Sequence, residues 1–450
     1  MDGFVLDGHK KVYFAGIGGV SMSALALILR ARGIEVLGYD RSHSHETEIL
    51  EEHGVDVDYS EDSPKLENVD LLVYTAALKL THPVIQKALD LGIECISRAV
   101  LLGAIVKTYG ISIGVAGTHG KSTTSGMISR IFDVTPGHDP SFAVGALLPF
   151  VNAYYKVGTD GTFVFEADEY KNSFLQFFPT TAVALNVCHD HPDFFKDLDA
   201  VVRSFSEYIS HSANAVLNLD SEGAVRCAEG YKGNAVWFSA ARKADYYATD
   251  IKETKGYASY TLHYPQGEIR IELSVPGLHN VSNSLAAFAA CHINGLTPEE
   301  IAAGIRSFTG VSRRFEHIGI LNGADVISDY AHHPDEIAAT LTTAKKVAEG
   351  RVITVFQPHT YSRLAELYEG FKKSLCISDV VAVTDVFSAR ETDTLGVSGE
   401  SLANACGGTY VPSFEAAAGF LKETARPGDL VIIMGAGDIY KVWDELKKSS

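Results

Sequence analysis

The segment GVAGTHGKSTT, residues 114–124, constrains the fold of this chain more than any other. An apolar run precedes it and a helix-like stretch follows, so the pattern predicts a strand, a glycine-rich loop and a helix. In that order, backbone N–H groups at a helix N-terminus surround a phosphate, Lys121 adds a point charge, and Ser122 can reach Mg²⁺. Val115 stands where the general phosphate-loop pattern has its first glycine, so the prediction depends on the string GTHGKS, residues 117–122. The loop predicts a nucleoside triphosphate site.

The amino-terminal stretch predicts a dinucleotide-type βαβ unit. KKVYFAGIGGVSMSALALILRARG, residues 10–33, is a strand pattern, a glycine turn and a helix, and the next strand pattern ends at Asp40. Ser21 occupies the third glycine position of the usual fingerprint, so this signal is weak alone. An NAD-dependent oxidoreductase is therefore one alternative function, although it leaves the GTHGKS loop unused.

Two further α/β stretches follow. In the second, Glu166, Asp168 and Glu169 follow one strand pattern, and Asp190 and His191 follow another. Because carboxyl ends of parallel strands meet at one sheet edge, these groups and the phosphate loop are expected to converge. The third stretch again has strand patterns with helices between them. The expected domains are residues 1–103, 104–312 and 313–450.

Composition excludes several functional classes. The formal net charge is -18, and no lysine- or arginine-rich stripe exists to bind a nucleic acid. The six cysteines are spread out and never form a CxxC pair, which predicts a reduced, cytoplasmic setting. We find no signal-like opening or long apolar span, so neither secretion nor membrane insertion is expected. A monomer or a homodimer is expected.

Nine motifs in one order carry a family resemblance. They are GIGGVSMS, GTHGKST, EADE, DHPDFF, GLHNVSN, RRFE, SDYAHHPDE, FQPHTYSR and MGAGDI. Together they resemble the Mur ligases of cell-wall precursor synthesis, over residues 12–440. The resemblance implies a three-domain α/β fold: a Rossmann-like first domain for a UDP-sugar, a central P-loop ATPase-like domain, and a Rossmann-like third domain that brings the amino acid. It implies an ATP-dependent ligase of peptidoglycan synthesis that joins L-alanine to UDP-N-acetylmuramate through an acyl phosphate.

The resemblance assigns the phosphate loop and its neighbours to ATP and magnesium. Lys121 would hold the β- and γ-phosphates, and Arg314 would reach the γ-phosphate. Ser122 would coordinate the Mg²⁺ between the phosphates. Glu169 and His191 would bind a second Mg²⁺, which prefers the carboxylate to the imidazole. The other implied ATP contacts are Gly117, Thr118, His119, Gly120, Thr123, Asn280 and Asn283, the last two at adenine and ribose.

The first domain would hold the UDP-sugar. Gly16, Gly18 and Gly19 would approach the pyrophosphate, and Asp40 and Arg98 would make further contacts to the uridine diphosphate.

The third domain would contribute an acid and the amino-acid site. Asp329 would face ATP, while Tyr330, His332 and Arg363 would surround the incoming alanine. Arg363 can pair with the alanine carboxylate. Thr360 stands where many family members have arginine, so one presumed carboxylate contact is missing.

Three alternatives remain open around these residues. EADEY also resembles the murein peptide ligases, which attach a peptide rather than alanine. Cys188, His189 and His191 could suggest a zinc site, although no second cluster at zinc-finger spacing supports it. A UDP-sugar sensor that binds without ligating is the non-catalytic alternative.

Overall fold

The structure is a computed structural model that describes residues 6, 8–62, 64–190, 194–389, 391–392 and 394–448. The chain forms two compact units. One comprises Met1–Thr249, Leu262–Ile269 and Ser282–Ser307, and the other comprises Asp250–Thr261, Arg270–Val281 and Phe308–Ser450. Three β-sheets with intervening helices make up the described part of the chain. No helix in those ranges is long and apolar enough to cross a membrane.

The first sheet is parallel, in the order β3-β2-β1-β4-β5. Its strands are β1 (Lys11–Ala15), β2 (Glu35–Tyr39), β3 (Asp56–Asp58), β4 (Leu71–Tyr74) and β5 (Glu94–Ser97). Its helices are α1 (Val20–Ala31), α2 (His45–Glu52), α3 (Pro83–Asp90) and α4 (Arg98–Val106). Apolar strands buried on both faces are typical of parallel sheets, and the predicted βαβ order is present.

The second sheet has ten strands in the order β15-β14-β13-β12-β11-β10-β6-β9-β7-β8. The strands are β6 (Ile111–Ala116), β7 (Ser141–Leu148), β8 (Ala153–Lys156), β9 (Thr162–Glu166), β10 (Thr181–Ala184), β11 (Asn214–Asn218), β12 (Asn234–Ser239), β13 (Tyr246–Thr254), β14 (Tyr257–Tyr264) and β15 (Gly267–Pro276). The helices are α5 (Lys121–Val134), α6 (Leu198–Ser210), α7 (Glu222–Cys227), α8 (His279–Ile293) and α9 (Pro298–Ser307), with a 3-10 helix over Tyr170–Gln176. Because β6 lies between β10 and β9, the carboxyl ends of these three strands are adjacent.

The third sheet has the order β16-β17-β21-β18-β19-β20, with β16 antiparallel and the other strands parallel. Its strands are β16 (Glu316–Leu321), β17 (Ala324–Asp329), β18 (Val352–Phe356), β19 (Val380–Val383), β20 (Thr409–Tyr410) and β21 (Leu430–Met434). Its helices are α10 (Pro334–Val347), α11 (Tyr361–Glu366), α12 (Tyr368–Leu375), α13 (Gly399–Ala405), α14 (Phe414–Thr424) and α15 (Lys441–Lys448). The predicted third α/β sheet is therefore present.

The first sheet and strands β6 to β12 of the second sheet belong to one compact unit, and elements associated with the two sheets are in contact. Helix α1 packs against β7 and β8, and α4 packs against the 3-10 helix. At Gly103, within α4, an added Cβ would lie 2.0 Å from the carbonyl oxygen of Gln176. The absence of a side chain at Gly103 lets the 3-10 helix, which follows Glu169, approach α4, which begins at Arg98. The expected boundary between residues 103 and 104 falls inside α4.

Candidate active site

The predicted phosphate loop connects the end of β6 to the start of α5. Gly117 has a φ of +150° and Gly120 a φ of +87°, both in the region that favours glycine. A Cβ on Gly120 would lie 2.7 Å from Oδ1 of Asn283. Glycine is thus required at Gly120 by both the backbone conformation and the available space. The strand–loop–helix order leaves the N-terminus of α5 at the carboxyl edge of the sheet, where an anion can bind.

Lys121, the first residue of α5, forms a buried ion pair. Its Nζ lies 3.0 Å from both carboxylate oxygens of Glu169 and 2.6 Å from the carbonyl oxygen of Gly117. The side chain of Glu169 is only 3% exposed. The pKa of Lys121 is raised above its usual value. Burial acts to lower this pKa, but the negative charges of Glu169, Asp168 and Glu166 have the larger combined effect. Lys121 therefore stays charged at neutral pH.

The acidic residues after β9 also make backbone contacts. Glu166 Oε1 accepts from the N–H of Gly145 at 2.6 Å, and Asp168 Oδ1 accepts from the N–H of Tyr170 at 3.1 Å. The hydroxyl of Ser173 donates to the carbonyl of Asp168 at 2.8 Å. These contacts fix the segment after β9, and Glu169 is the acid of this segment that bonds to the phosphate loop, through Lys121.

The turn after Glu169 contains two non-glycine residues with positive φ, Lys171 at +53° and Asn172 at +58°. Such conformations cost of order 1 kcal/mol each and persist where surrounding contacts fix them. One such contact is the hydroxyl of Ser204, which donates to Asn172 Oδ1 at 2.6 Å. The strained turn holds Glu169 at the carboxyl edge of the sheet.

The segment after β10 contributes a residue that the sequence analysis overlooked. Asn186 contacts the phosphate loop through both side-chain and backbone atoms. His191 lies outside the described residues. His189 Nε2 is 2.9 Å from the carbonyl oxygen of Phe195. Within the described ranges, no group of three or more His, Cys, Asp or Glu side chains is placed to hold a metal ion.

The asparagines predicted to open a helix lie in the first turns of α8. Asn280 and Asn283 are 5% and 7% exposed, which is low for amides. Asn280 Nδ2 donates to the carbonyl of Pro276 at 2.7 Å. Asn283 belongs to the unit that contains the phosphate loop and lies next to Gly120.

The glycine turn after β1 is held by the acid predicted beside it. The N–H of Gly18 donates to Asp40 Oδ2 at 2.8 Å, and the N–H of Gly16 donates to the carbonyl of Tyr39 at 2.7 Å. A Cβ on Gly18 would lie 2.9 Å from the Asp40 carboxylate, whereas Gly19 has no such close neighbour. Asp40 therefore fixes the turn that is predicted to approach a pyrophosphate.

Ser21 stands at the third glycine position of the fingerprint, and its side chain makes a contact that glycine could not make. Its hydroxyl accepts a hydrogen bond from Arg98 Nη1 at 2.9 Å. Burial lowers the pKa of Arg98, and the negative charge of Asp168 opposes that shift. Asp168 also acts electrostatically on Lys121. The same carboxylate thus lies within electrostatic reach of cations from both predicted phosphate sites.

In the other unit, Arg314 lies in a strained segment. Its neighbours Arg313 and Phe315 have φ values of +60° and +51°. Arg313 Nη2 donates to the carbonyls of Gly435 and Gly437 at 2.5 and 2.9 Å. Arg314 Nη1 lies 3.7 Å from Glu336 Oε1. The strain is thus localised around the arginine predicted to bind phosphate.

Asp329, at the end of β17, is buried and holds this segment. Its Oδ2 accepts from the N–H of Phe315 at 2.7 Å, and its Oδ1 accepts from the N–H of Ala331 at 2.8 Å and the hydroxyl of Thr340 at 3.2 Å. Burial raises the pKa of Asp329, although Arg314 and the backbone hydrogen bonds oppose the shift. These contacts make Asp329 a support for the segment that carries Arg314.

The residues predicted around the amino acid form one cluster with two residues that the sequence analysis did not assign. His332 Nδ1 lies 3.4 Å from Glu336 Oε2, and its ring centroid is 5.9 Å from that of His359. Arg363 Nη1 is 3.3 Å from His359 Nδ1, and Tyr330 packs edge-on against His332. Burial lowers the pKa of His332 to about 4, Glu336 opposes that shift, and Arg363 adds to it. His332 is therefore neutral at pH 7.

The family models match three consecutive segments of the chain. Residues 11–109 match the Mur ligase family, catalytic domain; residues 115–291 match the Mur ligase middle domain; and residues 313–437 match the Mur ligase, glutamate ligase domain.

Full-length relatives and solved structures agree with these matches. The chain is 41% identical over 457 residues to the UDP-N-acetylmuramate–L-alanine ligase of Acetivibrio thermocellus, covering 99% of this chain and 97% of that protein. It is 42% identical to the corresponding ligase of Lachnospira eligens, covering 97% and 98%. The structure of the UDP-N-acetylmuramate–alanine ligase MurC of Thermotoga maritima matches with a TM-score of 0.83, 25% identity, and coverage of 98% and 99%. A murein peptide ligase from Psychrobacter arcticus matches with a TM-score of 0.74, 25% identity, and coverage of 98% of both chains.

Proposed function

Because the chain belongs to the Mur ligase family, we propose that it is the ATP-dependent ligase that joins L-alanine to the carboxylate of UDP-N-acetylmuramate. ATP activates the sugar-borne carboxylate by transferring its γ-phosphoryl group, which gives an acyl phosphate and ADP. The alanine amine then attacks the acyl carbon and releases phosphate. Activation is needed because joining a carboxylate to an amine in water is unfavourable.

The observation that carries the proposal is the buried Lys121–Glu169 pair at the phosphate loop, with both carboxylate oxygens 3.0 Å from Nζ. A cation fixed at a helix N-terminus suits the triphosphate, and it stabilises charge that develops on the transferred group. The relatives that cover nearly all of the chain are ligases with these substrates, which supports the same activity here.

Mg²⁺ is the proposed metal. The donor set fits it, since Glu169 and Ser122 offer oxygen atoms and the carboxylates of Glu166 and Asp168 act electrostatically on Lys121 beside them. His191 remains a proposed ligand. When bound, Mg²⁺ would neutralise phosphate charge.

The protein side chains have separate proposed roles. Lys121 binds the transferred phosphoryl group as a point charge, and Arg314 contributes a second cation, whose guanidinium has forked donors. Arg363 pairs with the alanine carboxylate beside the neutral His332. Arg98, held by Ser21, contacts the diphosphate of the sugar nucleotide. Asn280 and Asn283 remain proposed contacts to the adenosine.

We further propose that the chain has three domains, residues 1–103, 104–312 and 313–450. We propose that the protein acts as a monomer or homodimer. ATP and the sugar nucleotide as substrates favour a cytoplasmic site of action.

Phosphate release tests the function. We expect release only when ATP, Mg²⁺, UDP-N-acetylmuramate and L-alanine are all present, and its loss in Lys121→Ala. Release that persists when the sugar nucleotide or alanine is omitted would contradict the proposal.

A peptide-attaching activity is the second candidate, favoured by the match to the murein peptide ligase structure. The same assay with alanine, glycine, serine and a tripeptide separates the two. We expect alanine to be used best, with some use of glycine, since one methyl group discriminates by only about 1–3 kcal/mol. Far better use of the tripeptide would establish the peptide ligase instead.

A further inference from the structure

We propose that Asn186 is a positioning residue for nucleotide binding, which fixes the phosphate loop in its binding conformation. The inference rests on the proposed use of ATP. Asn186 lies two residues beyond the end of β10, the strand that pairs with β6. The phosphate loop leaves the sheet from β6, so Asn186 and the loop lie side by side at the carboxyl edge.

The carboxamide of Asn186 pairs with the backbone of one loop residue at two points. The N–H of His119 donates to Asn186 Oδ1 at 2.8 Å, and Asn186 Nδ2 donates to the carbonyl of His119 at 2.9 Å. A carboxamide offers the acceptor and donor that a peptide unit requires, so it acts here as a neighbouring strand would. A third hydrogen bond, from the N–H of Thr118 to the carbonyl of Asn186 at 3.1 Å, holds the preceding residue.

The residues held in this way lie between the two glycines that shape the loop. Gly117 and Gly120 have φ values of +150° and +87°. Glycine has the most conformational freedom to lose, so a loop with two glycines needs contacts from outside to stay in one conformation. Lys121 follows directly and donates to the carbonyl of Gly117 at 2.6 Å. The positions of Thr118 and His119 therefore set the direction of the α5 N-terminus and of the lysine.

An ordered loop binds phosphate more tightly because little conformational entropy is lost on binding. The N–H groups of Thr118 and His119 donate to Asn186, so Asn186 acts through the loop and not through contact with the nucleotide. A change at Asn186 should thus affect nucleotide affinity selectively.

Titration of the full-length protein with ADP, together with KM values for the three substrates, tests the role. For Asn186→Ala, which removes two hydrogen bonds, we expect the Kd for ADP and the KM for ATP to rise roughly tenfold. The KM values for L-alanine and UDP-N-acetylmuramate should change less than about twofold. Amide hydrogen exchange over residues 117–122 should become faster, while β10 stays protected.

Asn294→Ala is the matched control. Asn294 Nδ2 donates to the hydroxyl of Thr181, at the amino end of the same strand, at 3.1 Å. This variant should lower the melting temperature and leave the Kd for ADP unchanged. If Asn186→Ala does not fold, Asn186→Gln keeps the amide but displaces it by one methylene, and it should also weaken ADP binding.

Two failures can be distinguished. If wild-type protein does not bind ADP, both the proposed function and this inference are wrong. If wild-type protein binds ADP and a folded Asn186 variant binds it equally well, only the inference is wrong. An equal rise of all three KM values together with a lower melting temperature would indicate a structural role alone.

Discussion

At the scale of single residues, each cation that we propose to bind phosphate has an acidic partner in the free protein. Lys121 lies 3.0 Å from Glu169, and Arg314 lies 3.7 Å from Glu336. Arg98 is within electrostatic reach of Asp168. Burying an unpaired charge is costly, so these acids stabilise the cations in place before an anionic substrate binds.

Ser21 is expected to matter for binding of the sugar nucleotide through Arg98. Ser21→Ala removes the hydrogen bond to Arg98 Nη1, whose net value is about 1 kcal/mol. We expect the KM for UDP-N-acetylmuramate to rise roughly fivefold while the KM for ATP stays constant. Ser23→Ala is the control, because the Ser23 hydroxyl donates to the carbonyl of Val20 within the same helix. Equal KM values in both variants would argue against a role for Arg98.

His332 predicts a pH dependence of stability. Its pKa is lowered from 6.5 to about 4 in the folded protein, so between these values the unfolded chain binds more protons. Stability gained from His332 is therefore present above about pH 6.5 and is lost as pH falls towards 4. The neighbouring charges on this ring are Glu336, Arg363 and Arg314.

Urea unfolding of His332→Gln between pH 4.5 and 7.5 measures this effect. In a Trp237→Phe background, Trp443 fluorescence reports on the unit that contains His332. We expect the wild-type midpoint to fall with acidification, and the fall to be smaller in the variant. His317→Gln, at an exposed histidine of the same unit, should keep the wild-type slope. Parallel slopes in all three proteins would contradict a buried neutral His332.

At the scale of elements, close packing of α4 against the 3-10 helix brings the two predicted phosphate sites of one unit together. Helix α4 carries Arg98 at its first turn, and the 3-10 helix follows Glu169 directly. The close approach depends on Gly103, where a Cβ would lie 2.0 Å from the backbone oxygen of Gln176. A backbone oxygen cannot move aside as a flexible side chain can.

Gly103→Ala should therefore destabilise the protein, although alanine favours a helix by about 1 kcal/mol over glycine. Gly419→Ala is the matched control in the interior of α14, where an added Cβ meets nothing within 4 Å. We expect a lower melting temperature for Gly103→Ala and a slightly higher one for Gly419→Ala. An increase in both would show that α4 does not need the close contact.

At the scale of the whole molecule, the chain order of strands and helices could be predicted, because apolar runs and glycine turns are local patterns. The three α/β stretches and the phosphate loop follow from such patterns. The strands β13 to β15 were not predicted, because they carry no motif of their own and β13 does not alternate polar and apolar residues. His191 remains a prediction.

Contacts between distant parts of the chain could not be predicted. Asn186 and His119 are 67 residues apart, and Arg98 and Ser21 are 77 apart. The family resemblance implies that Asp329 faces ATP. The pattern of apolar residues does not show that both of its carboxylate oxygens accept hydrogen bonds from backbone N–H groups of its own unit. An isolated asparagine after a buried strand was the one available signal for Asn186.

The central claim is that the γ-phosphoryl group of ATP moves to the sugar-borne carboxylate. The most direct test uses UDP-N-acetylmuramate labelled with ¹⁸O in that carboxylate, with mass analysis of the phosphate released on reaction with L-alanine. Attack of the amine on the acyl phosphate leaves one carboxylate oxygen on the phosphate, so one ¹⁸O per released phosphate is predicted. Unlabelled phosphate, formed together with the alanine product, would contradict the account.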